Sequence, residues 1–535
     1  MAITILDAAT KRPQVHVNTE RCVGCEECAR ACPKTVLALD PERVVITAVS
    51  DACVGCRSCE NTCPYDAIHV TGPLVTEPRP AEVLVPLAER LGGAQEVRRG
   101  LTHEQMLAAA SRCLDCPRAT CVEGCPARND IPGFIRAMRA GDMEGGLETI
   151  RRTSEFPSVC GRVCNQAAQC EGACILNQRG EEAVAIGFLE RYLGDWEREH
   201  EARPRVAGFG ARRRVAVVGA GPAGLAAAGW LARAGHRVEI HDEAGAAGGI
   251  LAWGIPSFSL PPEVVEDELA YLRDMDVELH PGRRLGRDFT VEDLLAGGAD
   301  AVVLAFGAGE SNRLPVPEAA SLGGVTTATE FLTAAKAYLD GRAPTPPEAR
   351  SPMVVVGAGN TGIDVARTAL RLGVREVTCI DFLPERRVPS APEDKRLALE
   401  EGVEFVYQVS VQGLTSNADD VVGVDVAPVE WREPSRLHRN PRPRVQADRP
   451  LRLAARAVVQ AMGYRVEAET ASRTGVAVGP RGALQADPRT GRTSRPRVWA
   501  IGDAVRGPST VVAGMAMGRE CARDVVEWLK TAPVA

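Results

Sequence analysis

The sequence predicts a multidomain α/β protein in which cysteine-rich modules precede two nested, doubly wound domains. Sixteen of the 18 cysteines lie before residue 175, and only Cys379 and Cys521 lie beyond it. From Arg212 onward, apolar β-type runs, Gly-rich turns and Ala-rich helical segments alternate, which is typical of βαβ units in a parallel sheet. A chain of 535 residues is long enough for several such domains.

Bulk composition excludes several classes of protein. The formal net charge is −7 and the basic runs are short, so a nucleic-acid partner is not expected. The N-terminus lacks the pattern of a signal peptide, and no apolar run is long enough for a membrane span. We therefore expect a cytoplasmic protein without direct membrane insertion. In a reducing compartment, its cysteines are expected to be metal ligands or redox thiols rather than disulfides.

The N-terminal cysteines form a repeat. "CVGCEECARACP" and "CVGCRSCENTCP" both follow C-x2-C-x2-C-x3-C-P, with the second copy displaced by 31 residues. This is the spacing of bacterial ferredoxins, in which the fourth cysteine of each run binds the other [4Fe–4S] cluster. Zinc is the alternative, but it favours two separated C-x2-C knuckles around one ion. The predicted ligands are Cys22, Cys25, Cys28 and Cys63 for cluster 1, and Cys53, Cys56, Cys59 and Cys32 for cluster 2.

A second cysteine module follows a Pro-rich segment without cysteines. "RCLDCPRATCVEGCP" and "CGRVCNQAAQCEGAC" hold eight more cysteines, at spacings that differ from those of ferredoxins. By spacing alone, these thiols could hold two further clusters. Together with "ILNQRGEEAVAIGFLERY", the two runs resemble the helical iron–sulfur domain of the glutamate synthase small-subunit family. That domain also occurs in dihydropyrimidine dehydrogenase and in the large subunit of NADH-dependent ferredoxin:NADP oxidoreductases.

The resemblance implies interleaved ligands for two more [4Fe–4S] clusters. One ligand is a carboxylate, and Cys160 is then a spare thiol. The alternative is that Cys160 completes cluster 4 and Glu190 is only a solvated helix carboxylate. The implied ligands are Cys113, Cys116, Cys121 and Cys174 for cluster 3, and Cys125, Cys164, Cys170 and Glu190 for cluster 4.

"RVAVVGAGPAGLAAAGWLARAGHRVEIHD" reads as strand, Gly-rich turn, helix and strand, ending in Asp242. Such glycines let backbone N–H groups approach a pyrophosphate at a helix N-terminus, while the acid accepts from a ribose hydroxyl. The next run, "GAAGGILAWGIPSFSLP", resembles the family's flavin-binding continuation, although Ser259 and Pro262 replace two basic residues. "VWAIGDAVRGPSTVVAGMAMGRECA" resembles the motif that closes the FAD site of disulfide-reductase-like folds. The implied FAD-binding residues are Gly219, Gly221, Gly224, Asp242, Gly249 and, facing the ribityl chain, Asp503.

A second fingerprint, "MVVVGAGNTGIDVARTALRLGVREVTCID", predicts a second dinucleotide, NAD(P). Its candidate residues are Gly357, Gly359, Asn360, Thr361, Gly362 and Asp381. Because the C-terminal motif returns to the first fold, the NAD(P) domain is expected to be inserted in the FAD domain. The expected divisions are a ferredoxin-like α+β domain at 1–75, a linker at 76–100, an α-helical iron–sulfur domain at 101–208, FAD-domain parts at 209–310 and 461–535, and the NAD(P) domain at 311–460.

The end of the second fingerprint bears on the choice between NAD(H) and NADP(H). NADPH-dependent members of the resembling family have Tyr-Arg-Arg where this chain has Asp381, Phe382 and Leu383. A carboxylate there would accept from a free 2′-hydroxyl and repel a 2′-phosphate, so NADH is the expected substrate. Arg386 and Arg387 keep NADPH as the alternative, because a shifted loop could bring them to the phosphate.

Together, the modules predict electron transfer. Nicotinamide carries a hydride, each cluster carries one electron, and flavin can exchange with both. No nucleophile or acid–base constellation is evident, so chemistry on an organic substrate is expected in another subunit. We predict a hetero-oligomeric subunit serving a catalytic partner, such as a 2-oxoacid or aldehyde oxidoreductase, or ferredoxin. The alternatives are a free-standing NAD(P)H:ferredoxin oxidoreductase with or without bifurcation, a glutamate synthase small subunit, and a zinc-stapled scaffold without activity.

Overall fold

The computed structural model describes residues 13–49, 51–72, 78–202, 213–432 and 442–532. These residues form two compact units. The expected boundary at residues 208 and 209 and the first residues of the expected linker, 76 and 77, lie outside the described residues. The first unit comprises the described residues up to Val83, Gly100–Arg162 and Gln166–Ala202, and the second comprises Leu84–Arg99, Val163–Asn165 and the described residues from 213 onward.

The N-terminal part of the first unit consists of two equivalent halves. Its elements are β1 (Gln14–Val17), α1 (Glu27–Ala31), β2 (Leu37–Asp40), β3 (Val45–Ala48), α2 (Ser58–Thr62) and β4 (Ile68–Thr71). Strand β1 pairs antiparallel with β4, and β2 with β3. Positive φ angles recur at the 31-residue interval, at Gly24 (68°) and Gly55 (75°) and at Glu26 (61°) and Arg57 (55°). The sequence repeat is therefore also a backbone repeat.

The rest of the first unit is helical. Local capping defines where its helices begin: the Thr102 hydroxyl accepts from the Gln105 N–H at 3.2 Å, and Asp130 accepts from the Gly133 N–H at 3.0 Å. The buried Arg151 side chain donates to Glu197 at 2.9 Å, which joins the helix that ends at Arg151 to the long helix that contains Glu197. After α3 (Leu87–Arg90), which belongs to the second unit, the helices are α4 (His103–Ser111), α5 (Thr120–Gly124), α6 (Ile131–Arg139), α7 (Met143–Arg151), α8 (Pro157–Val163), α9 (Ile175–Gln178) and α10 (Ile186–Glu199).

The second unit contains two parallel five-stranded sheets, and its elements alternate along the chain. The first stretch comprises β5 (Arg214–Val218), α11 (Pro222–Arg233), β6 (Arg237–His241), α12 (Ile250–Trp253), α13 (Pro262–Asp274), β7 (Val277–His280), α14 (Val291–Ala296) and β8 (Ala301–Leu304). The second stretch comprises β9 (Glu310–Ser311), β10 (Val325–Thr327), α15 (Ala328–Leu339), β11 (Met353–Val356), α16 (Asn360–Arg371), β12 (Val377–Asp381), α17 (Pro392–Glu401) and β13 (Glu404–Tyr407). The last stretch comprises β14 (Val409–Asn417), β15 (Asp420–Arg432), β16 (Arg442–Val445), β17 (Leu451–Ala454), β18 (Ala457–Gln460), β19 (Tyr464–Arg465), α18 (Ala468–Ser472), β20 (Val498–Ala500), α19 (Asp503–Arg506) and α20 (Val511–Thr531).

The order of strands confirms the predicted nesting. The first sheet has the order β20-β8-β5-β6-β7, so a C-terminal strand joins the sheet that holds the first fingerprint. The second sheet has the order β10-β18-β11-β12-β13 and is built from the chain between β8 and β20. An antiparallel sheet of β14, β15, β16 and β17 extends this inserted part, and no pattern in the sequence had predicted it.

Most of the segment predicted to be a linker, Leu84–Arg99, belongs to the second unit. We call this segment the strap. The Val97 N–H donates to the Phe258 carbonyl at 3.0 Å, and Val97, Phe258 and Leu397 share a small apolar core. Arg90 is buried and donates to Glu400 at 2.9 Å. Since Phe258 follows β6 in the outer fold and Leu397 lies in α17 of the inserted fold, this strap contacts both folds.

A buried ion triad in the inserted fold packs against Phe258 of the outer fold. Arg367 and Arg371 of α16 donate to the Glu401 carboxylate at 2.8 to 3.1 Å, and all three side chains are almost fully buried. The Phe258 ring stacks on this triad, with the Arg371 guanidinium carbon 3.9 Å from the ring centroid. Nearby, the Lys336 ammonium donates to the Ile255 carbonyl at 2.6 Å.

Replacing Glu401 by Ala should destabilise the second unit strongly. Removing one partner of a buried ion pair leaves uncompensated charge, which costs about 3–5 kcal/mol of unfolding free energy. The measurement is the urea midpoint of the second unit, followed by flavin fluorescence. Glu404→Ala is the matched control, because that residue is exposed at the start of β13 and its loss should shift the midpoint little. Equal shifts for both variants would contradict the prediction.

Candidate cluster and dinucleotide sites

The ferredoxin-like half of the first unit brings three cysteines predicted for cluster 1 together, and all four predicted for cluster 2. Burial, with Cys63 and Cys22 as neighbours, raises the pKa of the Cys28 thiol to about 11. Burial likewise raises the pKa of Cys59 to about 12, and its neighbours are Cys32, Cys56 and Cys53. Each group therefore takes its fourth thiol from the other run, in the crossed arrangement that the spacing predicts.

Backbone donors to sulfur repeat in the two halves. The Val36 N–H donates to Cys32 Sγ at 3.3 Å, and the Ala67 N–H donates to Cys63 Sγ at 3.3 Å. Hydrogen bonds to sulfur stabilise thiolate ligands and influence cluster potential. None of the 18 cysteines is in a disulfide, and Cys25 is exposed. Free thiols with backbone N–H donors fit iron–sulfur clusters that are bound by cysteine thiolates.

A third group combines both runs of the second module. Burial raises the pKa of Cys116 and Cys121 to about 12, and both thiols have Cys113 and Cys174 as electrostatic neighbours. The Thr120 hydroxyl donates to the Ala173 carbonyl at 2.5 Å, which joins the segments carrying Cys121 and Cys174. The structure thus brings together all four residues implied for cluster 3.

This third group lies beside the ferredoxin-like half. Cys56, predicted for cluster 2, is also an electrostatic neighbour of the Cys116 thiol. The Arg179 guanidinium, which follows α9, donates to the Cys56 carbonyl at 3.0 Å. The groups predicted for clusters 2 and 3 are therefore adjacent within the first unit.

Glu190 lies inside the helical module. Its side chain belongs to α10, is 6% exposed, and has a pKa raised by burial to about 8. Its Oε1 atom accepts from Asn129 Nδ2 at 3.4 Å. Burial raises the pKa of Cys125 to about 11, with Glu190 as its first electrostatic neighbour. The geometry does not fit a solvated helix carboxylate.

The remaining candidates for cluster 4 differ in their placement. Cys170 has Glu190 and Cys125 among its electrostatic neighbours. Cys160 is also a neighbour of Cys125 and is 1% exposed. Cys164 is half-buried and belongs to the stretch Val163–Asn165 of the second unit. The structure therefore groups Cys125, Cys170 and Glu190, and it also places the predicted spare thiol, Cys160, beside Cys125.

The first Gly-rich turn lies between β5 and α11. A Cβ atom at Gly224 would lie 2.0 Å from the Gly219 carbonyl oxygen, so only glycine allows the helix to begin this close to the strand. At Gly221, no atom lies within 4 Å of such a Cβ atom, so the backbone is open to a ligand. The Asp242 carboxylate accepts from the Ala220 N–H at 2.6 Å and from the Ala244 N–H at 2.8 Å. This cradle fits the pyrophosphate and ribose of FAD.

Two further segments approach this turn. A Cβ atom at Gly249 would lie 2.7 Å from Gly221 Cα, so the predicted flavin-binding continuation touches the cradle. From the C-terminal motif, a Cβ atom at Gly518 would lie 2.4 Å from the Ala223 carbonyl oxygen, so α20 packs against α11 at close range. Asp503 begins α19, burial raises its pKa, and it accepts from the Ser509 hydroxyl at 2.6 Å.

The second Gly-rich turn repeats this geometry between β11 and α16. A Cβ atom at Gly362 would lie 1.8 Å from the Gly357 carbonyl oxygen, whereas the nearest atom to one at Gly359 would lie 4.0 Å away. Asp381 accepts from the Ala358 N–H and from the Leu383 N–H, both at 2.8 Å. The turn therefore fits a second dinucleotide.

The two remaining candidates at the second turn occupy the first residues of α16. Asn360 is exposed, and its Oδ1 accepts from the Ala391 N–H at 2.8 Å, so this side chain holds the loop before α17. Thr361 is half-buried. Both residues lie next to Gly359, where a dinucleotide pyrophosphate would approach the helix N-terminus.

A cleft of about 610 Å³ adjoins the end of β12. Its lining combines charged, amide and aromatic side chains. The Trp431 indole donates to the Phe382 carbonyl at 2.9 Å, and the Arg387 guanidinium carbon lies 5.4 Å from the indole centroid. Trp431 and Gln408 were missed by sequence reasoning, since they lie on or before strands that carry no fingerprint. The cleft is lined by Pro384, Glu385, Arg386, Gln408 and Trp431.

Grouped cysteines and paired dinucleotide cradles define an iron–sulfur flavoprotein oxidoreductase. Comparisons with protein families agree with this class. Residues 15–70 match the 4Fe-4S dicluster domain, residues 90–202 match the dihydropyrimidine dehydrogenase domain II with its 4Fe-4S cluster, and residues 213–518 match the pyridine nucleotide-disulphide oxidoreductase family. The chain belongs to the glutamate synthase small-chain-like group of pyridine nucleotide-disulphide oxidoreductases, with an added N-terminal ferredoxin-like domain.

Named relatives support this assignment. The chain is 35% identical to the "Glutamate synthase [NADPH] small chain" of Escherichia coli, over 81% of this chain and 94% of that protein. It is 32% identical to the "Putative oxidoreductase UacF" of E. coli, over 97% of this chain and 87% of that protein. It is 33% identical to the "NADP(+)-dependent formate dehydrogenase subunit beta" of Moorella thermoacetica, over 77% of this chain and 60% of that protein.

In the described part of the chain, no helix is both long and apolar enough to cross a bilayer.

Proposed function

We propose that this protein is the electron-transfer subunit of a larger oxidoreductase, connecting NAD(H) to a catalytic partner through FAD and four [4Fe–4S] clusters. The adjacency of Cys56 and Cys116 carries the proposal, because it joins the helical cysteine module to the ferredoxin-like module. Bound flavin would supply the exchange between hydride and single electrons. The two Gly-rich cradles would hold the dinucleotides.

The same adjacency suggests an order for the clusters. Cys116 of cluster 3 has Cys56 of cluster 2 as its neighbour, so electrons would pass from cluster 3 to cluster 2. Cluster 1 is then the last cluster of the proposed relay. Cluster 1 includes Cys25, which is exposed, and the nearby Val23 and Val44 are 52% and 58% exposed. An apolar surface beside an exposed cluster ligand suits contact with a partner protein. We assign cluster 1 as the point of electron exchange with that partner.

The partner is proposed to be a catalytic subunit such as a 2-oxoacid or aldehyde oxidoreductase, with a cytoplasmic location for the complex. Two relatives are named as parts of assemblies, one as a small chain and one as a subunit beta. The second candidate function is a free-standing NAD(P)H:ferredoxin oxidoreductase. It is favoured by the relative named only as an oxidoreductase, which matches 97% of this chain including the ferredoxin-like part.

Anaerobic native purification tests the proposal. We expect co-elution with a catalytic oxidoreductase subunit, a flavin spectrum and about 16 iron atoms per chain. Co-elution of a glutamate-synthase-like large subunit, or of none with rapid turnover of soluble ferredoxin, would contradict the preferred partner. A colourless protein holding zinc would support a scaffold without activity.

Replacing Cys56 by Ser should separate the two halves of the relay. NADH oxidation with a dye that accepts from flavin should persist, whereas transfer to the partner should fall at least about 100-fold, since cluster 2 loses a ligand beside cluster 3. Cys521→Ser is the control, because Cys521 is a buried cysteine in α20 that is not proposed as a ligand of any cluster. Equal loss of both activities, or of neither, would argue against this order of clusters.

A further inference from the structure

Two adjacent strands of the outer sheet carry the same four-residue pattern. Strand β6 contains Val-Glu-Ile-His at 238–241, and β7 contains Val-Glu-Leu-His at 277–280. In their parallel register, Glu239 pairs with Glu278 and His241 with His280. Because alternate side chains share one face of a sheet, the two glutamates and two histidines form a square on one face.

Three of these side chains bring possible ligand atoms close together. One atom each from Glu239, His241 and His280 lies within 4.8 Å of the others. The two imidazole rings are stacked, with centroids 4.8 Å apart and planes at 15°, and Glu239 Oε1 lies 3.9 Å from His241 Nε2. Tetrahedral zinc with bonds of 2.0–2.1 Å places ligand atoms about 3.3 Å apart, so the two stacked rings would turn toward a shared ion on binding it.

His241 supplies an independent indication of a ligand. Its side chain is 5% exposed, and neither ring nitrogen has a hydrogen-bond partner. A buried polar group without a partner is costly, and coordination of a metal ion would satisfy one of these nitrogens. The Phe289 ring packs at 5.0 Å from His241, while the side chains of Glu239 and His280 are 19% and 35% exposed. An ion could therefore enter from the Glu239 and His280 side.

The charges around this square favour a cation there. Glu239 Oε1, 3.9 Å from His241 Nε2, supplies one carboxylate. Glu278 Oε2 lies 3.7 Å from His280 Nε2 and adds a second carboxylate. Arg214 Nη2, 3.7 Å from Glu239 Oε2, and Arg237, which pairs with Glu278, are the competing cations. Both arginines are about half exposed and can turn into solvent.

We propose that Glu239, His241 and His280 bind a divalent transition-metal ion of the zinc class, which joins β6 to the edge strand β7. Two imidazoles and one carboxylate form a known zinc ligand set, with a fourth position for water. Magnesium and calcium are disfavoured because they prefer oxygen ligands throughout. This site lies outside the proposed electron relay. It is next to the FAD cradle, because Asp242, which follows His241, accepts from the Ala220 N–H in that cradle.

Zinc binding to the holoprotein tests the proposal. The anaerobically purified protein, with flavin and clusters intact, is exposed to ZnCl₂, passed through a desalting column and analysed for zinc by mass spectrometry. X-ray absorption at the zinc edge then reports the ligands. We expect about one zinc ion per chain, with nitrogen and oxygen ligands at about 2.0–2.1 Å and no sulfur at about 2.3 Å.

Variants assign the ion to this site. His241→Phe preserves the packing volume and Glu239→Gln changes a partly exposed group, and each should weaken zinc affinity at least about tenfold while the flavin spectrum is unchanged. His200→Gln is the control, since that imidazole stacks on Trp196 in the first unit. Zinc bound through sulfur, no retained zinc, or unchanged affinity in Glu239→Gln would overturn the proposal.

Discussion

Replacing Glu190 by Ala should remove cluster 4, so that iron falls from about 16 to about 12 atoms per chain. The carboxylate is buried, with Cys125 and Cys170 as neighbours, so it is not an ordinary surface carboxylate. Without it, one corner of the cluster would lack a protein ligand. Iron analysis and electron paramagnetic resonance of the reduced protein measure the loss, while circular dichroism checks that α10 still forms.

Cys160→Ala is the matched comparison and should leave all four clusters in place. This thiol is as deeply buried as Glu190 and also neighbours Cys125, so the two variants remove competing candidates from the same pocket. Glu190→Gln should retain the cluster with a shifted potential, since an amide oxygen can still coordinate without the negative charge. If Cys160→Ala loses iron and Glu190→Ala retains it, the assignment of cluster 4 is wrong.

The wild-type protein should have a higher kcat/KM with NADH than with NADPH. We propose that Asp381 repels a 2′-phosphate and accepts from a free 2′-hydroxyl. Its two oxygens already accept from the Ala358 and Leu383 N–H groups, which hold the carboxylate at the Gly-rich turn. Asp381→Asn should therefore reduce discrimination against NADPH by about tenfold or more, with the larger change in KM.

Variants of two arginines at the neighbouring cleft test the alternative, in which NADPH is the preferred substrate. Arg386 lines the cleft, and Arg387 lies over Trp431, so either guanidinium is a candidate phosphate ligand. Arg386→Ala and Arg387→Ala should leave kcat/KM with NADH within about twofold. A wild-type preference for NADPH that these variants abolish would refute the role of Asp381 and agree with the NADPH in the names of relatives.

Patterns in short segments predicted much of this molecule. The 31-residue cysteine repeat predicted two equivalent halves, and the positive φ angles at Gly24 and Gly55 recur at that interval. The two Gly-rich fingerprints predicted two parallel sheets, because glycine spacing, strand and helix are all local features, and the C-terminal motif predicted that one sheet is inserted in the other. Glu190 required the family resemblance, since one glutamate in an amphipathic helix has no distinctive spacing.

Other features depend on contacts between distant segments. The lining of the cleft by Trp431, the strap over Phe258 and the adjacency of Cys56 and Cys116 carry no local signal. The triad of Glu239, His241 and His280 likewise depends on the register of two strands whose patterns are separated by 39 positions.

By itself, the sequence determined that this chain is equipped for iron–sulfur clusters and a flavin, because thiol loops and Gly-rich turns depend on residues close together along the chain. Only the tertiary structure decided which cysteine groups adjoin, that Glu190 is buried, and that His241 lies beside His280. Burial and neighbourhood arise from packing between segments far apart in sequence, and these determine the order of the proposed relay and the location of the proposed zinc site.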